Sequence, residues 1–136
     1  MRCSTLFTCL CLIGSSAAAS AQVFTSNDQV RQALVGNTIS GEEKGKRYVE
    51  YFHPDGRISG FYPDEREGDE EAEGPYTGHW RIGKAQLCVR YAEDDGREGA
   101  WDCSPVEVKG WKVIWASDGE RSVSSLTPGN PFHFLQ

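Results

Sequence analysis

Beyond residue 37 the chain is cut into short pieces by turn signals, and this punctuation constrains the fold more than any other feature. Pro54-Asp55-Gly56, Ile82-Gly83-Lys84, Asp94-Asp95-Gly96, Lys109-Gly110 and Ser117-Asp118-Gly119 each place a glycine where a tight reversal between strands needs one. Between the turns, apolar residues recur with a period of two. Tyr76, Gly78, Trp80 and Ile82 alternate with Thr77, His79 and Arg81, and Leu87, Val89 and Tyr91 alternate with Gln86, Cys88 and Arg90. That spacing gives a strand one buried and one open face. Strands are expected over 38–41, 47–53, 57–62, 76–82, 86–92, 100–108, 111–116 and 122–126.

Eight short sequential strands predict an all-β fold, a single antiparallel meander curled into a small barrel or bent sheet, because curling removes exposed edges. The general layout is lipocalin-like. One short helix precedes the strands. Ser26 begins Ser-Asn-Asp-Gln, with Gln29 placed to complete a capping box. Val30, Ala33 and Leu34 follow at helical spacing and Gly36 ends the segment, which predicts a helix over 27–35 that plugs one end of the sheet. Tyr48, Tyr51, Phe52, Phe61, Tyr76, Trp80, Trp101, Trp111 and Trp115 are expected to supply bulky core volume.

The N-terminus reads differently. Arg2 is followed by an apolar run from Leu6 to Ile13 and then by small residues from Gly14 to Ala21, the order of a secretory signal. Ala19-Ser20-Ala21 fits a cleavage site before Gln22, with Ala17-Ala18-Ala19 as the alternative. Residues 1–21 are therefore read as a signal peptide and residues 22–136 as a single β domain, periplasmic or secreted. The apolar run is far shorter than the roughly 20 residues that span a bilayer, so no membrane span is expected. Thr8 before Cys9 does not suit lipid attachment, and Cys3, Cys9 and Cys11 are filler in a discarded segment.

Cys88 and Cys103 remain, an even count in an oxidising compartment, which favours a disulfide over a metal or catalytic thiol. The loop they close has 16 residues counted inclusively, and chain entropy alone would stabilise such a fold by about 3 kcal/mol. Loss of Arg2 leaves 13 of the 14 basic residues against 20 acidic ones, a net charge of −7. This charge disfavours nucleic acid and anionic membrane surfaces as partners.

Several segments in order, Leu34-Val35-Gly36-Asn37-Thr38, Tyr51-Phe52-His53-Pro54-Asp55-Gly56, Gly78-His79-Trp80, the pair Cys88 and Cys103, and Gly129-Asn130-Pro131, extend over nearly the whole mature chain. Together they resemble a family of small exported proteobacterial β proteins of unknown function. The resemblance implies the exported β domain and brings no activity or catalytic residues with it.

No catalytic constellation emerges. There is no Gly-x-Ser-x-Gly elbow, and Ser59 before Gly60 reads as a surface hydroxyl. His53, His79 and His133 are isolated, without a second ligand at zinc-like spacing, so no metal or cofactor is expected. The acid-rich run 64–73 lacks the ligand spacing of a calcium loop and reads as a solvated hairpin tip that could capture a basic partner. Glu50, between Tyr48 and Phe52 at strand period, is the one acid placed to lie among aromatic groups, or else to pair with a basic neighbour on the sheet surface.

The expectation is an exported, non-catalytic domain that binds a protein or small ligand, with Trp80, His79, Glu50, Tyr91 and Trp111 as candidate contacts. The alternatives are an inhibitor-like protein against a basic enzyme such as a lysozyme or a protease, and a minor envelope enzyme using Glu50 or His79.

Overall fold

Ser26 caps the helix as the sequence predicts, its hydroxyl accepting the backbone N–H of Gln29 and so satisfying a free amide of the first helical turn. The computed structural model describes residues 26–64, 74–84, 86–117 and 119–135. Helix α1 (Asn27–Leu34) buries Val30 and Leu34 and ends as the chain turns extended at Val35, with Gly36 in the left-handed region. Eight strands follow: β1 (Thr38–Glu43), β2 (Lys46–Phe52), β3 (Arg57–Phe61), β4 (Tyr76–Gly83), β5 (Gln86–Tyr91), β6 (Asp102–Lys109), β7 (Lys112–Ser117) and β8 (Glu120–Thr127).

Each strand pairs antiparallel with the next, and β8 returns to β1 through Thr38 opposite Thr127 and Ile39 opposite Leu126. The result is a closed eight-stranded barrel without a free edge. Period-two alternation sends Ile39, Phe52, Ile58, Trp80, Leu87, Val106, Val108, Val113 and Leu126 into the interior, where Val30 and Leu34 of α1 join them. Helix α1 thus closes the end of the barrel at which β1, β3, β5 and β7 begin. The hairpins β1–β2, β3–β4, β5–β6 and β7–β8 reverse at the other end.

Two expectations about aromatic packing are corrected. Trp111 is 65% exposed and lies in the β6–β7 turn, because the strand begins one residue later, at Lys112. Trp101 precedes β6, which starts at Asp102 rather than near residue 100. The chain from 92 to 101 folds back instead: Ala92 bridges Glu98, and Gly99 N–H donates to Tyr91 C=O. This places the Trp101 ring against the guanidinium groups of Arg81 at 4.2 Å and Arg90 at 4.6 Å. Cys88 and Cys103 face each other directly across β5 and β6 and are joined. The disulfide holds the base of this fold-back.

Strand β2 is buried on both faces from Val49 to Phe52. Its outer face is covered by the C-terminal segment, where Phe134 stacks on Tyr51 at 6.3 Å and Phe132 meets Phe61 at 5.6 Å. Asn37 and Thr38 anchor that segment: the Asn37 side chain accepts from Gly129 N–H, and the Thr38 hydroxyl donates to Gly129 C=O at 2.7 Å. Among the described residues no helix is long and apolar enough to cross a membrane. The proposed signal peptide, and the acid-rich run beyond Asp64, lie outside the described residues.

Candidate functional site

The barrel interior has two chemically different halves. Next to α1 it is aliphatic. Towards the opposite end, the same inward-facing rows carry Tyr48 and Glu50 on β2, Tyr76 on β4, Tyr91 on β5, Trp115 on β7 and Ser124 on β8.

Glycines make this half possible. Gly41 lies opposite Tyr48, Gly60 opposite Tyr76 and Gly78 opposite Tyr91. In each pair the tyrosine ring lies over its glycine; a Cβ on Gly41 would come within 2.6 Å of the Tyr48 hydroxyl, and one on Gly60 would overlap the Tyr76 ring. A ring laid over a cross-strand glycine restores the contact area that the missing side chain forfeits. Gly60 is also the β3 partner of Glu50, so its bare backbone is what lets the Tyr76 hydroxyl reach across to donate to Glu50 Oε1 at 3.0 Å. Tyr91 hydrogen-bonds the same carboxyl from β5, one strand further round, and its ring meets that of Tyr76 edge-on at 5.7 Å.

Glu50 is 6% exposed, whereas Tyr48, Tyr76, Tyr91 and Trp115 are each half-buried. The carboxyl therefore lies beneath aromatic side chains at the end of the barrel opposite α1, here called the mouth. Burial pushes its pKa up to about 7, because the charged form is poorly solvated there. The hydrogen bonds from Tyr91 and Tyr76 act in the opposite direction and the charge of Glu43 adds a little to the rise. Burial, and then the facing carboxylate, raise both Tyr76 and Tyr91 well above the ordinary phenol value, so they are neutral donors. Opposite Glu50 the Ser124 hydroxyl bridges Tyr48 Oη at 2.7 Å and the Trp115 indole N–H at 2.8 Å.

The residues singled out in the sequence are dispersed. Glu50 and Tyr91 meet in the lumen. Trp80 is core, its indole N–H donating to His53 C=O at 3.0 Å and its face covered by Arg31. His79 points outward and sits 3.3 Å from Glu98, which also holds Arg90. Trp111 belongs to the exposed turn at the α1 end.

A second arrangement lies on the outer wall, where Tyr51, His53, Pro54, Asp55 and Arg57 line an open depression of about 210 Å³. His53 Nε2 is 2.8 Å from Ser59 Oγ, the separation of a nucleophile and its base. Burial lowers the His53 pKa, so the ring is held neutral. Among the described residues no acid hydrogen-bonds the His53 ring to complete the array: Asp55 Oδ1 accepts the Arg57 backbone N–H and Oδ2 its Nε. Among the described residues no group of three His, Cys, Asp or Glu side chains is placed to hold a metal ion.

Sequence reading did not find Tyr48, Tyr76, Trp115 and Ser124 as members of one site. The available signal was parity: Glu50 shares a strand face with Tyr48, and the odd or even positions of the other strands set Tyr76, Tyr91 and Trp115 inward. Comparison with family models, with curated proteins and with solved structures finds no match.

Proposed function

We propose that the protein is an exported, non-catalytic binding domain that takes a small ligand at the tyrosine-lined end of its barrel. One observation carries this reading. A buried carboxyl and neutral phenolic donors converge from three strands at the base of an aromatic mouth, opposite the plugged end. Binding sites in small barrels have this composition, mostly aromatic walls with a few convergent polar groups. The uncompleted His53–Ser59 pair argues against acyl transfer.

The test is a panel of small metabolites added to the exported protein, followed by the amide and indole N–H resonances. Binding at the mouth shifts the Trp115 indole and the Tyr76 and Tyr91 amides and leaves His53 and Arg57 still. Shifts confined to the outer wall, or none for any compound, would defeat the proposal. A second reading, capture of a basic protein such as a lysozyme, is favoured by the acids on the hairpins at the same end, Glu42, Glu43, Glu93, Asp94, Asp95 and Glu120. In that case a basic enzyme, and no metabolite, broadens the resonances of these hairpins, and high salt reverses the effect.

A further inference from the structure

Two buried carboxylates in this barrel are treated in opposite ways. Glu107, on the outside of β6 and nearly as buried as Glu50, has Arg121 at 3.0 Å and Lys109 at 3.1 Å. A buried acid normally acquires such cations, because an unpaired charge in a poorly solvated place costs several kcal/mol. Glu50 faces only the hydroxyls of Tyr76 and Tyr91, and among the described residues no basic side chain pairs with it. Among the described residues, the counter-charge that Glu107 finds is missing beside Glu50.

The walls around that position suit a cation. Electron-rich ring faces attract ammonium groups, and several such faces around one carboxyl form an aromatic cage. Lys46 shows the same preference at the rim, its ammonium 5.4 Å from the centroid of Tyr62, which in turn lies 5.1 Å from Tyr76. On the described hairpins at this end Glu42, Glu43, Glu93, Asp94, Asp95 and Glu120 outnumber Lys44, Lys46, Arg47 and Arg97, even with Glu43 paired to Lys44 and Glu93 and Asp95 to Arg97, which leaves a weak attractive field for a positive solute.

Resting on the reading of the mouth as a small-ligand site, we infer that the ligand is an organic cation, a primary ammonium on a narrow alkyl chain. Glu50 takes its charge, and the chain lies against Tyr76, Tyr91 and Trp115. Binding replaces the Tyr76 hydroxyl as the nearest donor to Oε1 and leaves the ring faces in place.

The probes are n-butylammonium, n-butanol and butyrate, equal in length and differing in charge, titrated calorimetrically into the exported protein while the Trp115 indole resonance is followed. Butylammonium is expected to bind at least about ten-fold more tightly than either of the others, and Glu50→Gln to remove at least about ten-fold of that affinity. Tyr76→Phe, which keeps the ring and deletes the competing donor, should retain affinity within about three-fold. Near-ultraviolet circular dichroism establishes that each variant is folded. Equal binding of butanol or butyrate, or undiminished butylammonium binding by folded Glu50→Gln, would overturn the assignment of ligand class. If none of the three binds while a panel compound still shifts Trp115, the cation inference falls and the mouth reading stands. If nothing shifts Trp115, both fall.

Discussion

Replacing Glu50 by glutamine should stabilise the protein at neutral and alkaline pH, an unusual outcome for a polar substitution in a core. Burial raises the Glu50 pKa from 4.5 to about 7, with the Tyr76 and Tyr91 hydrogen bonds only partly offsetting it. Below about pH 4.5 the carboxyl is protonated in both the folded and the unfolded chain and makes no pH-dependent contribution. Between 4.5 and about 7 the unfolded chain releases the proton while the folded chain keeps it, so stability falls by about 1.4 kcal/mol per pH unit. Above the folded pKa both states are ionised and the full deficit of about 3 kcal/mol persists. Glutamine is neutral throughout, and its carbonyl oxygen still accepts from Tyr76. The difference in stability between Glu50→Gln and the parent should therefore be near zero at about pH 4.5 and rise to about 3 kcal/mol by about pH 8. At a slope of about 1.5 kcal/mol per molar urea, that is a gain of about 2 M in the unfolding midpoint. Urea titrations monitored by tryptophan fluorescence at several pH values measure it, and taking the difference removes the groups common to both proteins. Parallel stability curves across this range would show that Glu50 is solvated or already charge-paired, and the reasoning would fail.

Three further outcomes follow from the packing. Gly60→Ala drives a methyl group into the Tyr76 ring and should cost about 1–3 kcal/mol in urea unfolding. The same change should loosen the Tyr76 contact to Glu50, visible as a shift of the Tyr76 ring resonances; a neutral effect on both would contradict the glycine–tyrosine pairing. Reduction of Cys88–Cys103, separated by 15 residues, should lower stability by about 3 kcal/mol and free the Trp101 fold-back to exchange its amides. Phe134→Ala strips the cover from Tyr51 and Phe61 and should cost about 1–2 kcal/mol, with increased solvent quenching of tyrosine fluorescence.

Strand positions were legible because the turn glycines and the two-residue period are local signals; closure was left open between a barrel and a bent sheet, and it comes from the return of β8 to β1 after seven sequential antiparallel pairings. What failed was whatever depended on a distant segment. Trp111 shares odd parity with Val113 and Trp115, which face inward, yet its backbone belongs to the turn, where its C=O accepts from Leu126 N–H. Parity has no meaning before a strand begins. His79 was ambiguous because its outward partner, Glu98, arrives only through the fold-back of residues 92–101. Tyr51 and Phe61 were expected in the core, but they pack on the outer face under Phe132 and Phe134, whose return nothing local announces. Glu50 was placed among aromatic groups by its neighbours Tyr48 and Phe52, but Tyr76 and Tyr91 reach it only because residues 60 and 78 are glycine.

Those glycines, taken with the acid they surround, make the tyrosine-lined end difficult to explain as packing. A glycine within a strand gives up about 0.5–1 kcal/mol relative to alanine, and the lumen carries three, at 41, 60 and 78. Ionised Glu50 subtracts about 3 kcal/mol more at neutral pH, against a total margin of roughly 5–15 kcal/mol for a domain of this size. The α1 end shows what the same fold does when filling space is the only requirement, with Ile39, Phe52, Ile58, Leu87 and Val113 interdigitated around Val30 and Leu34. Valine or leucine at 50 and 60 would extend that pattern along the barrel. Local rules of core composition are broken in one half of the lumen and kept in the other, and such departures concentrate where a structure has work beyond holding itself together. A Glu50→Leu/Gly60→Val/Tyr76→Val triple variant should accordingly be more stable than the parent at about pH 8 while losing every ligand-induced shift at Trp115. A less stable variant would mean that the tyrosine–glycine pairs are themselves the better packing solution.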